Sequence, residues 1–259
     1  MGMKGILLVG HGSRSGSNEP AVKMHADYLR DRGYKNVYYS FKGYSEPYVQ
    51  NVIEDMAAAG IDEVIVVPLF IARGHYANDI VPRRVGLGKG ETEGTVSIGG
   101  RDVHIKITDV FGYHPMLSDI IVKMIEESED SEMKNGALLI GHGSKGEENK
   151  KMIMCNAERV GRAGKRIYIA FNEFNDPTIE DALTAMGRDG IEHISAIPLF
   201  VSSGEHTAKD LPEKLCLNED GRTGTVEAAG RIMSVSYSAP IGMRPEVGSI
   251  IESMVMARI

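Results

Sequence analysis

The chain of 259 residues has no tryptophan, six phenylalanines and only two cysteines, and each shortage removes a class of protein. Cys155 and Cys216 stand alone with no Cys-x-x-Cys spacing, which argues against a disulfide framework or a thiolate zinc site and leaves reduced thiols. No apolar run approaches the roughly 20 residues that a membrane-spanning helix needs, so no membrane segment is expected. The early run Ile6 to Val9 stops at Gly10, too short for the core of a secretory signal, and a cytoplasmic protein is the expectation. Positive charge is also scarce: 29 Lys and Arg stand against 36 Asp and Glu, a formal charge of −7, with no long basic run. No nucleic-acid partner is expected, because phosphate contacts need a clustered basic face. The remaining make-up, 42% hydrophobic and 25% charged residues, is that of an ordinary globular chain, and the 14 methionines scattered over helical segments read as packing.

What the chain has in quantity is repetition. Gly5-Ile6-Leu7-Leu8-Val9-Gly10-His11-Gly12-Ser13 returns as Gly136-Ala137-Leu138-Leu139-Ile140-Gly141-His142-Gly143-Ser144. Val67-Pro68-Leu69-Phe70, followed by His75, returns as Ile197-Pro198-Leu199-Phe200, followed by His206. Later pairs continue the match: Gly94-Thr95-Val96 with Gly224-Thr225-Val226, Gly100-Arg101 with Gly230-Arg231, and Gly112 and Pro115 with Gly242 and Pro245. Two halves of roughly 130 residues follow, 1–131 and 132–259, each long enough for its own core, with the acidic stretch 126–135 as linker.

Within each half, short apolar runs alternate with segments of helical period, the pattern of βα units around a parallel sheet. Strands are predicted near 4–10, 36–42, 63–70 and 104–110, and again near 136–141, 165–171, 192–199 and 231–237. Helices are predicted from Asn18 to Arg32, from Glu46-Pro47 to Gly60, over 147–162, and from Asp176-Pro177 to Met186. The class is therefore α/β, two halves each with a four-stranded parallel sheet flanked by helices. Residues 86–103 and 217–230, rich in Gly, Glu and Thr, read as surface loops, a hairpin turning at Gly99-Gly100 being the alternative.

In such sheets ligands bind beyond the carboxyl ends of the strands. His11 and His142 lie just past the first strand of each half in Gly-His-Gly-Ser turns, and His75 and His206 lie past the third. With strand order 2-1-3-4 the first and third strands are neighbours, so the two imidazoles of a half meet as a two-nitrogen metal site. The end of the second strand joins the same edge. There the second half reads Phe171-Asn172-Glu173-Phe174-Asn175-Asp176-Pro177, and the first reads Phe41-Lys42-Gly43-Tyr44-Ser45-Glu46-Pro47, so Glu173 has no counterpart acid. Glu46 and Asp176, each before a proline, read as acids that stabilise a helix start. His25, His104, His114 and His193 have no repeat partner and read as core or surface residues. The glycine-rich turn lacks the spacing of a nucleotide-binding loop.

Together these motifs resemble the sirohydrochlorin chelatases, the class II chelatases. The resemblance rests on Gly-His-Gly-Ser after the first strand, Phe-x-Glu-Phe-x-Asp-Pro after the second, and Pro198-Leu199-Phe200, Gly204-Glu205-His206 and Asp210-Leu211-Pro212 after the third. The first half fits less closely, because Gly74-His75 lacks the intervening residue. The resemblance implies a chelatase-like fold of two flavodoxin-like halves with a tetrapyrrole cleft, and insertion of Co²⁺, Ni²⁺ or Fe²⁺ into sirohydrochlorin. It implies catalysis by His142, Glu173 and His206, metal contacts from those three with His11 and His75, and substrate contacts from Ser13, Arg14, Ser144, Lys145 and Arg73. Arg83, Arg84 and Lys209 are further basic residues near the motifs. The metal ion and sirohydrochlorin are the expected partners, no other cofactor is expected, and a chain carrying both halves is expected to be a monomer. Two alternatives remain open at this stage: a metal or tetrapyrrole carrier on the same histidines, and phosphoryl transfer on His11. Against the second, Gly10 stands where histidine phosphatases have arginine.

Overall fold

The computed structural model describes residues 2–13, 16–17 and 19–259; the expected substrate contact Arg14 and the expected helix cap Asn18 lie outside the described residues. Met3–Gly10 (β1), Val37–Phe41 (β2), Ile61–Pro68 (β3), Glu93–Ile98 (β4) and Arg101–Ile107 (β5) form one sheet in the order β2-β1-β3-β5-β4. Asn135–Gly141 (β6), Ile167–Phe171 (β7), His193–Pro198 (β8), Thr223–Ala228 (β9) and Arg231–Tyr237 (β10) form a second in the order β7-β6-β8-β10-β9. All pairings are parallel except β4 with β5 and β9 with β10.

Each sheet thus has five strands where four were expected, because the Gly- and Thr-rich segments form antiparallel edge hairpins. The turn between β4 and β5 holds Gly99 and Gly100 at φ 57° and 80°, and Ala229 and Gly230 at φ 52° and 73° turn the second hairpin. Positive φ at both central residues gives the primed turn that matches strand twist. The inner strands are covered on both faces, so β6 after Asn135 is buried throughout and reads as a continuous apolar run. Edge strand β4 alternates exposed and half-buried residues, the mark of a strand with a wet face.

Among the described residues eight α-helical segments flank the sheets: Glu19–Asp31 (α1), Val49–Ala58 (α2), the single turn Val81–Arg84 (α3), Pro115–Ser128 (α4), Glu148–Arg162 (α5), Ile179–Arg188 (α6), the single turn Leu211–Lys214 (α7) and Val247–Met256 (α8). Neither Glu46-Pro47 nor Asp176-Pro177 opens a helix. Helix α6 starts at Ile179, capped by Thr178: its Oγ1 accepts from the Asp181 amide at 3.1 Å, and the Thr178 amide donates to Asp181 Oδ2 at 3.0 Å. That reciprocal cap, worth about 1 kcal/mol, does the work expected of Asp176. Among the described residues no helix is long and apolar enough to cross a membrane.

The compact units are not cut at the end of the sequence repeat. One unit is Met1–Gly112 with Pro245–Ile259, and the other is Tyr113–Arg244. Each half therefore gives its last helix to the other unit. In the first, α8 lies on α1: Tyr28 Oη and Ser249 Oγ are 2.9 Å apart, Arg32 Nε donates to Glu252 at 3.2 Å, and a Cβ on Gly248 would strike the Tyr28 ring at 2.6 Å. In the second, α4 packs on α5 and β8, where Ser118 Oγ donates to Asn156 Oδ1 at 3.1 Å and Ser128 Oγ to Ser195 Oγ at 2.7 Å. The apolar face of α4, from Leu117 to Ile125, supplies the burial that fixes it there.

Candidate metal centre

The second unit brings His142, Glu173 and His206 together. One ligand atom from each lies within 4.8 Å of the others, a spacing that a single cation can bridge, and all three side chains are partly exposed. His142 follows β6, Glu173 follows β7, and His206 opens a π-helical turn, His206–Asp210, after β8, so three adjacent parallel strands each contribute one donor. Gly143 permits the convergence. It sits at φ 84°, and a Cβ there would lie 1.7 Å from the Glu173 carbonyl oxygen, so only glycine allows the two loops to touch. The Glu173 amide donates to the His142 carbonyl at 3.0 Å and fastens the acid beside the imidazole.

Hydrogen bonding fixes which ring nitrogens face the centre. His142 Nδ1 is 3.0 Å from the Gly143 carbonyl and His206 Nδ1 is 2.6 Å from Asp210 Oδ2. A carbonyl and a carboxylate only accept, so both Nδ1 atoms carry the proton and both Nε2 atoms offer a lone pair. Beside His206, Lys214 Nζ donates to Asn172 Oδ1 at 2.8 Å, and the Asn172 amide nitrogen, a donor 3.2 Å from the equally protonated His206 Nδ1, is left to donate to Asp210. The His206 hydrogen bond, helped by the charge of Lys214 and by Asn172, holds Asp210 below the usual carboxylate range. The two imidazoles stand edge to face with centroids 4.7 Å apart, and the Phe174 ring is nearly parallel to His142 at 6.3 Å.

The first unit keeps the frame and loses the donors. The π-helical turn after β3 is Tyr76–Ile80, which matches His206–Asp210 residue for residue without a gap, so Tyr76 stands where His206 stands and His75 matches Glu205. His11 and Tyr76 are edge to face at 4.8 Å, the geometry of the His142–His206 pair. The expected meeting of His11 with His75 does not occur in this way: His75 is 64% exposed and lies 3.4 Å from Asp79, which Arg83 also holds. Gly43 replaces Glu173, Ile80 replaces Asp210 and Lys42 replaces Asn172. Among the described residues, the only metal-type cluster of His, Cys, Asp and Glu is that of the second unit. His11 is shifted towards neutrality, chiefly by burial and less by Lys42, against the pull of its Gly12 hydrogen bond.

The remaining expected contacts have local duties. The Ser144 amide donates to Asn175 Oδ1 at 2.8 Å and its hydroxyl to the Gly146 carbonyl at 2.5 Å, while the Ser13 amide donates to Ser45 Oγ at 3.1 Å. Arg73 forms a two-point pair with Asp109, and Lys145 is exposed. His104 pairs with Glu93 at 3.1 Å, His114 Nδ1 accepts from the Met116 amide at the start of α4, and His25 and His193 are buried. Sequence reasoning passed over Tyr76, Lys42, Asn172 and Lys214; laying the two halves against each other without a gap after Phe70 and Phe200 finds the first.

Known proteins place this chain in a family. The family model described as CbiX matches residues 5–128 and again residues 136–257. The chain is 31% identical over 230 residues to a probable sirohydrochlorin cobaltochelatase of Halobacterium salinarum, covering 82% of this chain and 76% of that protein. It is 36% identical over 111 residues to the sirohydrochlorin cobaltochelatase of Methanosarcina barkeri, covering 42% of this chain and 85% of that protein. Among solved structures, SirB from Bacillus subtilis with Fe³⁺ superposes with a TM-score of 0.73 at 17% identity, covering 98% of this chain and 94% of that one, a likeness of fold.

Proposed function

This chain belongs to the CbiX family, and from that premise we propose that it inserts a divalent metal, Co²⁺ first and Ni²⁺ or Fe²⁺ through the same donors, into sirohydrochlorin. The carrying observation is the convergence of His142, Glu173 and His206 within 4.8 Å. Two neutral imidazoles and a carboxylate bind first-row divalent ions without the closed thiolate shell of a structural site, and they leave positions open for pyrrole nitrogens. The metal is a substrate, and no resident cofactor enters the reaction.

Insertion exchanges two pyrrole N–H protons for one M²⁺, so the site must release a cation and accept protons in the same place. His142 and His206 offer Nε2 lone pairs that hold the ion before transfer and accept protons after it. Glu173 lies within reach of both as ligand or general base. Asp210 keeps His206 in the tautomer that makes this exchange possible. We further propose that the chain acts as a monomer in the cytoplasm, where its two unpaired cysteines stay reduced.

The test is an anaerobic assay of purified protein with sirohydrochlorin and each metal in turn, following the absorbance of the macrocycle. A rate well above the uncatalysed one, highest with Co²⁺, is expected. A rate equal to background with all three metals overturns the chelatase reading and leaves the carrier.

A further inference from the structure

The counterpart site of the first unit has not simply decayed; its charge has been inverted. Where the second unit has the carboxylates Glu173 and Asp210, the first has Gly43 and Ile80, and where the second has Asn172, the first has Lys42. A Cβ on Gly43 would meet nothing within 4 Å, so the place of the Glu173 side chain is open space. The Lys42 ammonium lies 3.6 Å from the centroid of the Tyr76 ring and 5.6 Å from that of Tyr44. Aromatic faces attract a cation but accept none of its three hydrogen bonds in the manner of a carboxylate.

Arg84 sits at the Lys214 position, close enough to Lys42 for its charge to be felt there. In the second unit Lys214 is tied to Asn172, whereas among the described residues neither Lys42 nor Arg84 has a carboxylate within ion-pair distance. Partial burial disfavours the Lys42 cation, Tyr44 opposes that more weakly, and Arg84 adds a smaller push in the direction of burial. Two cations held near one another without an anion, beside a vacated side-chain position, form the complement of a carboxylate.

We propose that the first unit's counterpart site binds a carboxylate of the tetrapyrrole substrate, with Lys42 as the principal contact and Arg84 in support. This rests on the sirohydrochlorin reading above, whose substrate carries several carboxylates. The repeat kept the place of the second unit's metal-type cluster and changed what is bound there from a cation to an anion.

The experiment is a fluorescence titration with metal-free uroporphyrin, a planar octacarboxylate that binds without any insertion step, alongside its uncharged octamethyl ester. Lys42→Met is expected to raise the Kd for uroporphyrin about tenfold, to flatten its salt dependence, and to leave ester and Co²⁺ binding unchanged. Arg84→Met is expected to raise it about threefold and Lys42→Arg to stay near wild type, while Lys35→Met, an exposed lysine of the same unit, stays at wild type. Uroporphyrin binding that is absent in the wild type, or equal in wild type, Lys42→Met and Arg84→Met, overturns the carboxylate site. That result together with active metal insertion fells this proposal alone; reduced binding in Lys42→Met without insertion by the wild type supports the carboxylate site and fells the chelatase reading.

Discussion

The two units share strand order, edge hairpin, Gly-His-Gly turn and π-helical turn, and their differences at one sheet edge include Lys42 for Asn172, Gly43 for Glu173, Tyr76 for His206 and Ile80 for Asp210. The comparison separates what the fold demands from what the chemistry demands. Gly12 and Gly143 are both retained, since a Cβ on either would lie within 2 Å of the facing carbonyl, at 1.9 Å and 1.7 Å respectively. The aromatic after the acid position is retained too: Tyr44 and Phe174 are each 61% exposed at φ 64° and 61°, a conformation that costs bulky residues energy. The acids and the second histidine have no such backbone duty, and they exist in one unit only. Backbone constraints hold both copies in place, while the residues of the His142, Glu173 and His206 cluster are free to diverge.

The sharpest way to break this asymmetry is to remove donors singly. Glu173→Gln, His142→Ala and His206→Ala are each expected to lower the insertion rate by about 100-fold or more, while His11→Ala stays within about threefold. Equal losses for His11→Ala and His142→Ala would show that both units carry chemistry. Next in size is Asp210→Asn, which removes the acceptor that orients His206. Co²⁺ affinity should fall about tenfold, with kcat recovering at high metal and the circular dichroism unchanged.

A constructive test rebuilds the lost centre. Lys42→Asn, Gly43→Glu, Tyr76→His and Ile80→Asp together should raise bound Co²⁺ in equilibrium dialysis from about one to about two per chain, if those positions alone distinguish the units. The smallest effect concerns acid. Burial keeps the His11 pKa below its ordinary 6.5, so the folded form binds fewer protons than the unfolded one. The resulting stability is present above 6.5 and is lost as pH falls through the lowered folded value. Hydrogen exchange at β1 should accelerate over that window, and slightly less so in Lys42→Met, where one of the charges that opposes the imidazolium is gone.

Much of this was legible in the sequence, because buried parallel strands such as Leu138-Leu139-Ile140 announce themselves as apolar runs and the repeat marks every turn twice. The His142, Glu173 and His206 cluster was legible for the same reason: each residue follows a strand whose neighbours the order 2-1-3 dictates. Strand β4 was not, since its Glu-Gly-Thr-Val-Ser-Ile pattern alternates on an exposed edge and carries the composition of a loop. Tyr76 was hidden by the attraction of pairing one histidine with another, which misplaces His75 by one residue. The Lys214–Asn172 bond beside His206 joins two separate segments, the end of β7 and the continuous run 206–214, and nothing local in either announces the other.

The exchange of terminal helices also sets an order of manufacture. The unit Tyr113–Arg244 is one uninterrupted stretch, so during translation it is complete before the last residues are made. The unit that begins first finishes last, since its helix α8 is contributed by residues 247–256 at the end of the chain. A ribosome stalled before α8 would thus leave the Tyr113–Arg244 unit fully synthesised while the N-terminal sheet still lacks one of its covering helices. Splitting the gene between residues 131 and 132 would have a different result: two fragments, each carrying the helix that the other one needs.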